Sequence, residues 1–135
     1  MLDLDTESVG IGILAPQTAG ATFTGNYAFG QNGFYETNSA AFVAYGLVGQ
    51  IVSSGTSFTG LADYNQLTVS QTPAVTVTGP YTPDAANPGR ATTQVTIAGA
   101  APPSSITTYQ ASNGLLFDVD VDPANLALGI VEQQQ

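Results

Sequence analysis

Phe117-Asp118-Val119-Asp120-Val121-Asp122, the turn Asp122-Pro123-Ala124-Asn125 and then Leu126-Ala127-Leu128-Gly129-Ile130-Val131 spell a β-hairpin. Successive side chains of a strand point to opposite faces. Phe117, Val119 and Val121 therefore share one face, and Asp118, Asp120 and Asp122 the other. This alternation predicts a strand with an apolar back in a core and an acidic front in solvent. The same period pairs Tyr27 with Phe29, Val75 with Val77, and Val95 with Ile97. Strands are expected over 2–6, 9–14, 21–34, 41–52, 57–64, 74–81, 91–97, 106–110, 115–121 and 126–132. No window of a dozen residues keeps a helical apolar stripe free of Gly, Pro or clustered β-branched residues. The punctuation fits: Asn32-Gly33 and Asn113-Gly114 supply positive φ for tight turns. Asn32-Gly33 is equally readable as a bulge inside one long strand. Ser53-Ser54-Gly55 is a further turn, and 83–89 and 99–105 are longer loops. The expected fold is all-β, an antiparallel up-and-down meander of about eight strands closing into a small barrel, with a two-sheet β-sandwich as the alternative.

The hairpin has a counterpart at the other end of the chain. Leu2-Asp3-Leu4-Asp5-Thr6-Glu7 followed by Val9-Gly10-Ile11-Gly12-Ile13-Leu14 matches 117–122 and 126–131 in polar and apolar type, with two extra residues in the second turn. The match predicts a tandem array whose period is close to the length of the chain. Residues 1–16 are then the terminal hairpin of a preceding repeat, 17–24 a linker, and 25–135 one complete β-repeat domain. A lone hairpin is marginally stable in water, so it is expected to pair with an exposed edge of its own unit or of a neighbouring copy.

Composition narrows the chemistry. Among 135 residues there is one basic side chain, Arg90, against ten acidic ones, a formal net charge of −9. Such a balance repels nucleic-acid phosphates and anionic membranes, so neither is an expected partner. Charged residues make up 8%, far below the roughly 25% of an ordinary domain. Solubility falls to Thr, Ser, Gln and Asn, a composition of exported bacterial β-repeats. The opening Met-Leu-Asp-Leu-Asp lacks the basic start of a signal peptide, so an export signal is expected upstream. No segment has the roughly 20 apolar residues of a spanning helix. The sequence holds no histidine, cysteine or lysine, which excludes Ser-His-Asp triads, cysteine nucleophiles and Schiff bases. Glu36, Asp63 and Glu132 are scattered acids that read as solvated surface rather than a glycosidase pair. The expectation is a protein that is not an enzyme.

Gly25-Asn26-Tyr27-Ala28-Phe29-Gly30 with Gly33-Phe34, then Val77-Thr78-Gly79-Pro80-Tyr81-Thr82 with Asn87-Pro88-Gly89-Arg90-Ala91, and the closing Gly129-Ile130-Val131-Glu132-Gln133-Gln134 carry a resemblance. Over residues 22–134 the chain resembles the tandem β-repeat domain of large secreted proteins of Acidobacteria. The resemblance implies a bacterial, exported, multi-repeat setting and no catalytic residues. Pro80 stands where many such repeats keep a small residue able to donate a backbone bond, which implies an edge or bulge there.

Two constellations remain. Asp118-x-Asp120-x-Asp122 places carboxylates every ~7 Å along a strand face, too far apart to share an ion without a turn. A calcium site is therefore drawn at the turn, from Asp120, Asp122 and Asn125, against the plainer reading of an acidic solvent face. Tyr27, Phe29, Tyr45 and Phe117 are candidate ligand-lining aromatics if the barrel is hollow, as in lipocalin- or avidin-like barrels; a filled core is the plainer reading. The functional expectation is an extracellular or cell-surface structural or adhesive repeat module. It self-associates with neighbouring copies through an edge or end hairpin, by β-strand addition. A small-ligand-binding barrel and a calcium-binding β-repeat are the alternatives.

Overall fold

In the computed structural model, the structure describes residues 2–4, 9–11, 16, 22–36, 41–67, 69–99, 103–112, 114–123 and 125–135. All regular structure among them is β. Two short strands, β1 (Leu2–Leu4) and β2 (Val9–Ile11), form a two-stranded sheet of their own. Nine more follow: β3 (Thr24–Glu36), β4 (Phe42–Ser54), β5 (Ser57–Gln66), β6 (Val69–Pro80), β7 (Thr82–Pro83), β8 (Arg90–Ile97), β9 (Ser104–Ser112), β10 (Leu115–Asp120) and β11 (Asn125–Gln133). Their order in one antiparallel sheet is β6-β5-β4-β3-β11-β10-β9-β8-β7, and β6 also pairs with β8. That last pairing closes a hydrogen-bonded, barrel-like ring of eight strands, the meander expected from the short turns. The expected continuations of β1 to Thr6 and β2 to Leu14, and linker residues 17–21, lie outside the described residues.

The ring closes at two places of unequal strength. The first and last strands, β3 and β11, pair without interruption from Tyr27↔Gln133 to Tyr35↔Asn125. The β6–β8 seam has only Val77↔Ile97 and Thr78↔Thr96, plus the Ala98 N–H donating to Thr76 O at 2.8 Å. The ladder lapses at Gly79–Tyr81 and resumes in the same register as β7, with Thr82↔Thr92 and Pro83↔Ala91. Pro80 sits in that lapse. It has no N–H to offer β8, and its carbonyl accepts the Thr93 hydroxyl instead.

Inward residues follow the period of two. Tyr27, Leu116 and Val77 are fully buried, with Ile51, Phe58, Ala62, Tyr81, Ala91 and Val131 around them. Phe23, just before β3, plugs one end of the ring. Its ring lies 4.6 Å from both Tyr27 and Tyr81 and 6.4 Å from Phe58, centroid to centroid, and its carbonyl accepts the Ser53 hydroxyl at 2.6 Å. Aromatic pairs at these separations add to plain area burial.

Three expectations need correction. Asn32-Gly33 is neither a turn nor a bulge: β3 pairs continuously with β4 and β11 through both residues. Glycine is required for a close approach, since a Cβ at Gly33 would sit 2.5 Å from Ala127 Cβ and 2.6 Å from Leu126 O. β6 begins five residues earlier than expected, because a bulge between Ala62 and Tyr64 of β5 breaks the alternation. At that bulge Ala74 takes φ +54°, and its N–H donates to Asp63 Oδ1 at 2.9 Å. The third correction concerns β10, whose faces are reversed. Asp118 and Asp120 point inward, 9% and 4% exposed. Leu116, in phase with them, is core, which fixes the inner face. Phe117 and Val119 look outward, directly paired with the exposed Ile130 and Leu128 of β11.

Candidate functional site

The interior has two ends of different chemistry. Near the start of β3 it is the Phe23 cluster. Toward the finish of β3 it turns polar, with Gln31, Tyr35, Tyr45, Tyr64, Gln66, Asp118 and Asp120. Cross-strand pairing builds this end. Thr108, Asp118, Gly129, Gln31, Leu47 and Tyr64 are successive partners across six strands and so share one face. Gly129 is the gap that lets its two neighbours meet: Gln31 Nε2 donates to Asp118 Oδ1 at 3.2 Å across it. A Cβ at Gly129 would lie 2.5 Å from both carboxylate oxygens of Asp118. The Tyr45 hydroxyl donates to Gln31 Oε1 at 3.5 Å. The Tyr64 hydroxyl donates to Gln66 Oε1 at 3.1 Å, and Gln66 Nε2 donates to the Tyr35 hydroxyl. The Tyr35 and Tyr64 rings flank Tyr45, with centroids 6.4 and 6.0 Å from it.

No positive side chain enters this network. Arg90, the sole cation of the sequence, is held on the loop side by Asp84 at 2.8 Å. Burial therefore pushes the Asp118 carboxyl up to about 6; the Asp120 charge adds to this and the Gln31 amide opposes it. Asp120 is raised as well, first by burial and against the hydrogen bond from the Asp122 N–H. Tyr45 is raised by burial and then by the charges of Asp120, Tyr64 and Asp118. The arrangement favours neutral carboxyls or an added cation.

The residues drawn as a calcium turn have other uses. Asp120 Oδ1 accepts the Asp122 N–H at 3.0 Å, and Asp120 Oδ2 accepts Asn125 Nδ2 at 3.2 Å. Asp122 Oδ2 accepts the Ser105 N–H at 2.8 Å, tying the β10–β11 turn to β9. Among the described residues no group of three or more carboxylates is placed to hold a metal ion; Asp5 and Glu7, the parallel acids of the first hairpin, lie outside those residues. Asp122→Ala is expected to cost about 1–2 kcal/mol, because it orphans the Ser105 N–H. Urea unfolding followed by circular dichroism measures that loss, and an unchanged midpoint would contradict the tether.

Of the four candidate lining aromatics, Tyr27 is core, Phe29 packs against the core, and Tyr45 belongs to the polar end. Phe117 is corrected to the outer face, opposite Tyr109 and Ile130. Glu36, Asp63 and Glu132 are all exposed. Between the two ends lies a cavity of about 60 Å³. Its walls include Phe23, Phe29, Phe58, Gln31, Thr108 and Asp118. Sequence reasoning passed over Gln31, Thr108 and Gln66. Gln31 was within reach of the period of two, since it is in phase with Tyr27 and Phe29. The chain matches no family model, no curated protein and no solved structure.

Proposed function

We propose that the chain is a structural repeat module, exported by a bacterium and displayed outside the cell, that stacks on neighbouring copies through the outer face of β10, β11, β3 and β4. The observation that carries this reading is the exposure of Leu126, Leu128 and Ile130, alternate residues of β11, at 62%, 62% and 40%. Phe34 on β3 and Val48 on β4 extend the apolar strip, with uncharged Gly30, Asn32, Ala44 and Gly46 between them. The opposite wall is hydrophilic: Thr76, Thr92, Gln94 and Thr96 are exposed there. A contiguous apolar strip on the surface marks an interaction site, whereas apolar residues exposed singly do not. Two molecules of net charge −9 repel each other, so a like-with-like contact needs a charge-free strip.

The hairpins support a second copy as the occupant. Asp3 lies opposite Gly10, flanked by Leu2↔Ile11 and Leu4↔Val9. Asp118 lies opposite Gly129, flanked by Phe117↔Ile130 and Val119↔Leu128. The short hairpin thus repeats the pairing pattern of the closing one. As a separate two-stranded sheet it offers edges for strand addition to a neighbouring copy. Light scattering after size exclusion tests the reading on the parent, on Leu128→Asp and on a chain lacking residues 1–16. The parent is expected to form dimers or larger species, Leu128→Asp to be monomeric, and the deletion to associate less. A parent that stays monomeric at high concentration, or a Leu128→Asp variant that associates as the parent does, would remove the outer face from the account. Barrel-type ligand binding is the second reading. It draws on the interior cavity, whose volume lies well below the 300–1,000 Å³ of drug-sized pockets.

A further inference from the structure

The cavity holds an imbalance that stacking leaves unused. Asp118 lines it with one carboxylate oxygen bonded to Gln31, and no cation is inside to meet the charge. Thr108, the direct partner of Asp118 on β9, lines the same cavity. It is 94% buried, and its hydroxyl, though near Tyr81, completes no hydrogen bond of ordinary geometry. Buried polar groups are nearly always paired, so an unused hydroxyl beside an uncompensated carboxyl marks a place for a donor.

We propose that this cavity is a binding site for a small primary ammonium ion, with its –NH3+ group at Asp118 and Thr108 and its carbon end among Phe23, Phe29 and Phe58. The chemistry is matched group by group. A primary ammonium has three donors and no acceptor, and the site offers acceptors on the Asp118 carboxylate and the Thr108 hydroxyl; Gln31, whose amide oxygen accepts the Tyr45 hydroxyl, holds the carboxylate in place through its Nε2. The remaining wall is apolar and rich in aromatic rings, which attract a cation's face and shelter its carbons. A bare metal ion fits worse, because calcium takes six to eight oxygens and magnesium demands an octahedral set. A volume of about 60 Å³ admits only a few heavy atoms, since a single water needs ~10–15 Å³ of such space. The ligand class is therefore ions the size of methyl- or ethylammonium. The surrounding charge of −9 raises the local concentration of any cation. So small a ligand binds at best in the millimolar range, on the order of 1 mM.

The test uses the whole chain and ethylammonium chloride at pH 8, with ethanol and sodium chloride as controls at equal concentration and ionic strength. Proton NMR reads saturable shifts and cross-relaxation between the ligand methyl group and the phenylalanine rings. Ethylammonium is expected to saturate near 1 mM, and ethanol to bind at least tenfold more weakly. Asp118→Asn, isosteric and checked for folding by circular dichroism, is expected to weaken ethylammonium at least tenfold. Thr108→Val, which keeps the shape and removes one acceptor, should weaken it several-fold. Lowering the pH to 5 should weaken it as well, since Asp118 then carries a proton and the other groups facing it, Gln31, Asp120, Tyr45 and Tyr64, bring no positive charge. Three results overturn the proposal: ethanol binding as well as ethylammonium, sodium chloride reproducing the shifts, or both folded variants binding like the parent. Oligomeric state is read separately by light scattering, so loss of this site and loss of stacking are told apart.

Discussion

Gly129→Val is expected to lose about 3–5 kcal/mol of stability, while Gly30→Val, the same replacement one strand away, changes it by less than about 1 kcal/mol. The two glycines lie on neighbouring strands of the same wall but face opposite ways. At Gly129 the new Cβ meets both Asp118 oxygens at 2.5 Å. The carboxyl has to swing away, and Gln31 then loses its acceptor in a buried setting. At Gly30 the new Cβ meets only Val48 Cγ1, at 3.8 Å, an ordinary contact on the outer face. Valine favours strands at both sites, so intrinsic propensity does not separate them. With a net stability of ~5–15 kcal/mol for an ordinary domain, the first loss is a large part of the whole. Urea titration of both variants decides the matter. Equal midpoints would mean that the Gln31–Asp118 bond does not organise the interior.

The second large effect is on pH. Asp118 has an ordinary carboxyl value near 3.8 when unfolded and about 6 in the ring, because burial disfavours its charge. Between those two values the native state holds more protons than the unfolded chain. Stability therefore falls as pH rises. The contribution is fully present below pH ~4 and lost as pH passes ~6; at 1.36 kcal/mol per unit it amounts to about 3 kcal/mol. Asp120 is raised in the same direction. Asp118→Asn should flatten this decline and be more stable than the parent at pH 8, whereas Asp63→Asn, at an exposed position, should keep the decline. Thermal unfolding from pH 4 to pH 8 measures all three proteins. A parent that gains stability across that range would contradict the sign of the effect.

Much of the architecture was legible because short strands with dense turn chemistry leave few alternatives. The predicted strands at 57–64, 91–97 and 126–132 fall on β5, β8 and β11 with small changes at their ends. Which face of β10 is inner was not legible from 117–122. Alternation fixes which residues travel together, and the choice of core face comes from Leu116 and from what stands across the sheet. Phe117, Val119 and Leu128 look like core residues by composition, yet they lie on the outside. Gly33 and Gly129 carry the opposite lesson. Read locally, a glycine beside asparagine is turn chemistry, whereas Gly33 is a spacing requirement set by Ala127, nearly a hundred residues away. The polar end of the interior was hidden for the same reason, since Gln31 and Asp118 are 87 residues apart in the chain. The calcium turn at Asp120, Asp122 and Asn125 was drawn from side-chain type alone; the structure uses those atoms to hold the turn and β9 in place.

The first and last strands of the ring, β3 and β11, lie side by side and antiparallel. The chain therefore enters and leaves at the same end, where the Gln134 N–H donates to Asn26 O at 2.9 Å and Gln133 Nε2 to Thr24 O at 3.3 Å. Were several such rings joined in one chain, each would hang beside the thread of their linkers like a pendant. A pull along the thread strains the bonds between β3 and β11 one after another, as a zip opens, and passes by the rest of the ring. The same closeness of entry and exit makes the ring a natural candidate for circular permutation, with new ends cut at the Ser54–Ser57 turn.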